Sequence, residues 1–298
     1  MDTVIIGELL ALLASFCSAI HSVTYNRMGR SIDIDDLSYV RMAFSVPLIL
    51  VLCLLFDGSL PLGYSLSSYV LLSLSGIIGF FFCDYYLFRA FVVYGARESA
   101  VVMNLVPVIN SFLALLLFGE KLTAMKYVAI LLVVGGIISM VLGEGKKEGS
   151  KRKILSYGLL VVILAAFLQS ISDLTAKFAL ESVPPVSSSL IRISSGFVAW
   201  VFWALLKKRK PFGYLQEKET RNRLLLVTLI VVVFGPVGGT TCVMMALKTA
   251  PAGIVSVLKQ VSPLILIPYD VFVLKRKLTL PSLLGTAISV VGVMMLFA

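Results

Sequence analysis

Apolar residues run in long blocks along this chain, and the polar residues between them come in short clusters. The blocks do not alternate with period two, and they lack the polar face that a surface helix shows. Each is long enough to cross the ~30 Å hydrocarbon core of a bilayer as a helix. Unpaired backbone groups are not tolerated in lipid, so the blocks must be helices or strands of a closed barrel. Blocks that are apolar all round exclude the barrel. The pattern predicts ten spans, approximately 4–25, 37–56, 68–90, 98–118, 124–142, 156–178, 187–206, 223–246, 253–274 and 281–297. The fold class is therefore an all-α integral membrane protein with ten transmembrane helices.

The blocks repeat. At an offset of 151, Phe16, Ile20, Thr24, Ser38 and Arg41 fall on Phe167, Ile171, Thr175, Ser189 and Arg192. At an offset of 156, Gly79, Ala90, Ala96, Pro107 and Gly136 fall on Gly235, Ala246, Ala252, Pro263 and Gly292. Lys121-Leu122-Thr123 likewise falls on Lys277-Leu278-Thr279. The chain thus divides into a first five-helix repeat at 1–142, a basic linker at 143–155 and a second repeat at 156–298. Five spans is an odd number, so two fused copies must lie in opposite orientations. Such inverted repeats point to a transporter with its site where the repeats meet.

Composition and charge narrow the picture further. The chain is 59% hydrophobic and 14% charged, with a mean hydropathy of +0.99, where soluble domains carry about a quarter charged residues. The net charge of +10 does not point to nucleic acid, because the basic residues crowd into the odd-numbered connections. The even-numbered connections and the termini carry only Lys121, Lys126 and Lys248. By the positive-inside rule the odd-numbered connections, including the linker, are cytoplasmic and both termini are outside. The start, MDTVIIGELL, has no basic stretch before its apolar run, so no cleavable leader is expected. Cys17, Cys53, Cys83 and Cys242 lie inside spans and read as small hydrophobes, with neither disulfide nor metal site expected. No GxGxxG, Walker loop, HExxH or CxxC is present. The chain reads as no enzyme, without catalytic residues, cofactor or metal.

Several segments resemble the drug/metabolite transporter superfamily, EamA type. They are SYVRMAF (38–44) with SLIRISS (189–195), and 89–123 with 246–279, each ending in Lys-Leu-Thr. A glycine-bearing last span completes each half. The resemblance covers nearly the whole chain. It implies a secondary transporter of small metabolites, with relatives that export amino acids or exchange nucleotide sugars or sugar phosphates. It also implies the plasma (inner) membrane of a prokaryote as location. Two departures stand out: Lys275-Arg276 replaces the expected Gly-Glu of the motif, and family members are commonly drawn with both termini cytoplasmic, opposite to the charge distribution here.

Ionisable groups inside spans cost ~2.5–3.5 kcal/mol on insertion scales and call for a role. Lys259, in span 9, would meet a substrate carboxylate or phosphate; a lysine in this helix of some relatives supports that reading by analogy. Asn104 and Gln260 are repeat mates ahead of Pro107 and Pro263, prolines that free backbone carbonyls near the pseudo-axis. Gln169, Asp173 and Lys177 share one helical face, and their mates Ser18, Ser22 and Asn26 are polar too. Asp173 would bind an amine or a proton, or pair with Lys177. Asp84, Tyr85 and Tyr86 offer a carboxylate and flat walls; Asp84 would otherwise pair with Arg89 or Lys259. His21, the only histidine, is a second candidate for proton coupling. Arg41 and Arg192 read as braces or gates, and Asp270 as a partner of the 275–277 cluster. The expected partners are the bilayer, a small zwitterionic or anionic substrate and protons, and one chain suffices as a monomer. The rivals are an exchanger of phosphorylated sugars, and a channel or scaffold without turnover.

Overall fold

Polar and proline residues set where the helices begin. Asp33 caps the second helix, its side chain accepting from Asp35 N at 2.8 Å. Ser65 caps the third, accepting from Ser68 N at 3.2 Å. Pro184 and Pro185 start another without any N–H to leave unsatisfied. The structure, a computed structural model, describes residues 2–118, 123–144, 149–180, 182–209, 221–249, 258–259, 261–276 and 278–296. Lys121, Leu122, Ala252, Lys277 and parts of both long connections lie outside them.

The regular structure among the described residues is all helical. It comprises α1 (Asp2–Met28), α2 (Ile34–Phe56), α3 (Leu66–Gly76), α4 (Asp84–Val93), α5 (Ala96–Val102), α6 (Leu105–Phe118) and α7 (Ala124–Glu144). There follow α8 (Gly149–Leu180), α9 (Pro185–Leu206), α10 (Arg221–Val232), α11 (Gly238–Thr249), α12 (Ser262–Pro268) and α13 (Leu280–Leu296). Among the described residues, seven stretches are long and apolar enough to cross a membrane: Ile5–Met28, Ile34–Phe56, Leu66–Val93, Ala124–Gly143, Tyr157–Ala176, Pro185–Leu206 and Leu225–Val243. Ser262–Val273 and Leu280–Met295 are shorter apolar helices.

The fourth and ninth predicted spans depart from continuous helices. Helix α5 stops at Met103, and α6 restarts at Leu105. Met103 is four residues before Pro107, whose ring clashes with the carbonyl of residue i−4 and which has no N–H to give it. Asn104 sits in the break. In the ninth span Lys259 stands four residues before Pro263; Leu258 and Lys259 are helical, Val261 is a turn, and α12 runs from Ser262. Spans 3 and 8 continue through wider π turns at Ile77–Cys83 and Val233–Val237. These turns hold the repeat mates Gly79 and Gly235, and such bulges concentrate at functional sites.

Packing reproduces the repeat. A Cβ on Gly136 would lie 2.5 Å from Ser289 N and 2.6 Å from Gly285 O, while one on Gly292 would lie 2.7 Å from Val133 N and 2.9 Å from Ala129 O. Residues 285 and 289 are the mates of 129 and 133, so the α7–α13 seam is two-fold. The crossing of spans 3 and 6 has its counterpart between 8 and 1. A Cβ on Gly79 would meet Ser172 Oγ at 2.5 Å, and one on Gly235 would meet His21 Nε2 at 2.6 Å; Ser172 and His21 are again mates. Because the obstructing atoms at the seam are backbone, Gly136→Ala or Gly292→Ala is expected to push the helices apart. A destabilisation of about 1–3 kcal/mol should follow, read as a lowered melting temperature; an unchanged melt would contradict so close an approach.

The exterior and interior are inverted relative to a soluble protein. Leu55, Leu116, Leu131, Leu142, Leu205 and Phe272 stand exposed, whereas Arg41, Asp84, Arg97, Glu98 and Asp270 are buried. Apolar surface on this scale marks a membrane face, and buried charges must be paired.

Candidate functional site

Helix α8 carries its polar stripe where the repeats meet. Ser170 and Thr175 turn their hydroxyls back onto the helix carbonyls of Ala166 and Ile171. Ser172 crosses to α3, where Ser75 and Ser172 exchange hydroxyl-to-carbonyl bonds of 2.7 and 2.8 Å. One turn apart on the same helix, Gln169 Nε2 donates to Asp173 Oδ1 at 2.8 Å. This places the two predicted residues together as their spacing implied. The side chain of Lys177, the other suggested partner of Asp173, lies outside the described residues. Asp173 instead faces Arg192 of α9.

That pairing is loose. Arg192 Nη2 is 3.9 Å from Asp173 Oδ1, and the Asp173 side chain keeps 38% of its exposure. The same Nη2 donates to Ser172 Oγ at 3.2 Å, and the guanidinium lies 5.5 Å from the Phe80 ring centre. Arg192 Nε is buried without a hydrogen-bond partner among the described residues. An unmet buried donor costs ~1–3 kcal/mol.

Its repeat mate makes a close ion pair, although its Nε is likewise buried without a hydrogen-bond partner among the described residues. Arg41 Nη2 donates to Asp84 Oδ2 at 2.5 Å, the two side chains being 3% and 12% exposed. Arg41 also lies 4.8 Å from the Phe88 ring centre and 5.9 Å from that of Tyr25. Tyr25 and Phe88 stack at 3.9 Å, and His21 closes the group 5.0 Å from Tyr25 and 5.4 Å from Phe88. His21 Nε2 is buried without a hydrogen-bond partner among the described residues. The imidazole is thus walled by two aromatic rings and by the backbone at Gly235.

The remaining candidates are dispersed. Lys259 is exposed, and Gln260 lies outside the described residues. Asn104 is fully buried, its Nδ2 donating to Ser289 Oγ at 3.1 Å. Pro107 and Pro263 are buried beside the two helix breaks. Tyr85 and Tyr86 are half-buried and meet edge to face at 5.2 Å. Tyr85 also carries the Arg89 guanidinium 3.5 Å above its ring and abuts Trp203 at 5.6 Å.

Two suggested charge pairs are replaced by others. Asp84 takes Arg41 rather than Arg89 or Lys259, and Arg89 Nη2 goes to Asp35 Oδ1 at 2.5 Å. Asp270 Oδ2 takes Arg97 Nε at 2.8 Å, while Arg276 Nη1 goes to Glu98 Oε1 at 3.1 Å. Arg97 and Glu98 were not singled out by the sequence; their one signal was a charged pair opening an otherwise apolar span.

Chemically, the Gln169–Asp173–Arg192 group presents a half-open carboxylate and an incompletely paired guanidinium within reach of each other. It can bind a small molecule carrying both charges. The sequence profile of the EamA-like transporter family matches residues 5–142 and 156–298. The fold resembles that of a protein known from a crystal structure, with a TM-score of 0.68 and 15% identity over 97% of this chain and 95% of the other. No curated protein matches the sequence.

Proposed function

The chain belongs to the EamA-like transporter family, and on that premise we propose that it is a secondary transporter, an exporter of small metabolites such as amino acids. It works by alternating access between two inverted repeats, with odd-numbered connections cytoplasmic in a prokaryotic plasma membrane. The observation that carries the substrate class is the loose Arg192–Asp173 pair at 3.9 Å. A zwitterion's ammonium displaces Arg192 from Asp173 and its carboxylate takes the guanidinium. Gln169 holds the Asp173 carboxylate in place. Arg192 replaces Lys259 as the residue for the acid group, because it is loosely set, at 3.9 Å, against a carboxylate that stays 38% exposed. Asn104, Gln260, Tyr85 and Tyr86 remain candidates for the body of the substrate, and Asp84 becomes a brace.

Asp173 is also the proposed proton carrier. It is half-open, whereas His21 is enclosed by Tyr25, Phe88 and Gly235. Substrate ammonium and proton would then compete for one carboxylate. Exchange of phosphorylated sugars is the weaker reading, since it needs a second free basic residue and Arg41 is bound to Asp84.

The test is thermal stabilisation of purified protein by amino acids, their methyl esters and the matching amines. A ligand at about 100 times its Kd adds roughly 2.7 kcal/mol. Amino acids are expected to stabilise, and esters and amines much less. Asp173→Asn and Arg192→Gln should each weaken amino-acid binding roughly 10- to 150-fold, the range for a charged hydrogen bond. Equal stabilisation by the esters would sink the zwitterion reading. A response to sugar phosphates alone would promote the rival.

A further inference from the structure

Two charged networks join the repeats, and both lie on the face of the odd-numbered connections. In the first, Arg209, just beyond the end of α9, reaches the start of α2. Its Nη1 is 2.8 Å from Asp33 Oδ1 and 3.4 Å from Asp36 Oδ1, and its Nη2 is 3.5 Å from Asp35 Oδ2. Asp35 is buried and is held as well by Arg89 and by Trp203 Nε1 at 3.2 Å. In the second, Arg97 and Glu98 at the start of α5 meet the end of the ninth span and the start of α13. Arg97 donates to Asp270 at 2.8 Å and to Ser282 and Thr286 at 3.0 Å. Glu98 accepts from Arg276 at 3.1 Å.

Neither network can form at the matched positions. The mates of Asp33, Asp35 and Arg209 are Pro184, Val186 and Gly58. Those of Arg97, Glu98 and Asp270 are Gly253, Ile254 and Ala114. At the opposite end of the α2–α9 contact, Asp57 accepts from Ser187 N at 2.8 Å and Ser187 Oγ at 2.7 Å, so its carboxylate caps uncharged donors and makes no ion pair with them. The same scaffold thus occurs twice, and among the described residues ion pairs join the repeats at one end of it.

We infer that these networks are a one-sided latch that holds the odd-connection face shut and sets the resting orientation of the transporter. The inference rests on the alternating-access reading, in which inversion carries the matched positions to the opposite face. Opening the latched face separates Arg209 from its three aspartates and Arg276 from Glu98. Arg209 and Arg276 are about one-third exposed, so each can be neutralised without stranding a fully buried charge on its own side. Each pair contributes on the scale of an exposed ion pair, up to about a fivefold change in population.

Cys83 reads this opening. It is fully buried in span 3 next to Asp84. The full-length protein, with its other three cysteines changed to serine, is treated with a membrane-impermeant maleimide in vesicles of both orientations. Arg209→Gln and Arg276→Gln should each raise the labelling rate from the odd-connection face about two- to fivefold, and the double variant by about the product. The rate from the opposite face should not rise. Unchanged rates in both folded variants would overturn the latch, as would an equal rise from both faces or no labelling from either. Labelling needs no substrate. A rise without any amino-acid response in the stabilisation assay would sink the substrate reading and leave the latch standing.

Discussion

Arg97→Ala is expected to leave little folded protein. The side chain is fully buried, and its polar partners include Asp270, Ser282, Thr286 and Glu98. Removing it leaves the Asp270 carboxylate buried without its guanidinium, and takes from Glu98 one of its two cations among the described residues. Breaking a buried pair from one side costs about 3–5 kcal/mol, a large share of the ~5–15 kcal/mol that separates folded from unfolded protein. The melting temperature should fall by about 6–20 °C, with aggregation on size-exclusion chromatography. Arg97→Gln combined with Asp270→Asn removes both charges and keeps hydrogen-bonding groups in place, so it should recover much of the loss. A single Arg97→Ala variant that melts like the parent would show that the buried cluster is hydrated or otherwise compensated.

That cluster also shows where sequence reasoning ends. The all-helical membrane character follows from apolar block length, with seven of the spans long enough to cross a membrane among the described residues, and the repeat follows from two constant offsets. Those offsets correctly pair Gly136 with Gly292 and Gly79 with Gly235, and the structure packs each pair against matched neighbours. The break at Asn104 is legible too, because Pro107 has no N–H for the Met103 carbonyl, which takes Val106 N at 2.9 Å instead. The face shared by Gln169 and Asp173 is fixed by helical spacing alone. Charge partners are another matter. A sequence gives the depth and face of Asp84 but not which helix lies opposite, so nearby Arg89 stood out while Arg41, 43 residues away, was the partner. Arg97 and Arg209 looked like connection charges accounted for by the positive-inside rule. Their partners lie 173 residues away in both cases, at Asp270 and Asp36, across a repeat interface that only tertiary packing creates.

The proposed function casts Arg41 as a brace and Arg192 as a binding residue, and substitutions of their carboxylate partners should divide the same way. Asp84→Ala leaves the Arg41 cation buried, with the faces of Phe88 and Tyr25 beside it. A cation–π contact returns ~0.5–2 kcal/mol against a loss of about 3–5 kcal/mol, so the variant should melt well below the parent. Arg41→Met with Asp84→Leu replaces the pair by apolar volume and should lie closer to the parent, since a buried pair adds little net stability over well-packed apolar residues. Asp173→Asn should do the reverse. Its pairing is long and its side chain 38% exposed, so the loss in stability should stay below about 1 kcal/mol. Amino-acid affinity, in contrast, should fall roughly 10- to 150-fold. Melting curves with and without ligand measure both quantities on the same samples. If Asp84→Ala lost affinity at unchanged stability while Asp173→Asn lost neither, the substrate would sit against the first repeat's arginine. The asymmetry between the two halves would then run opposite to the one drawn from their ion-pair distances.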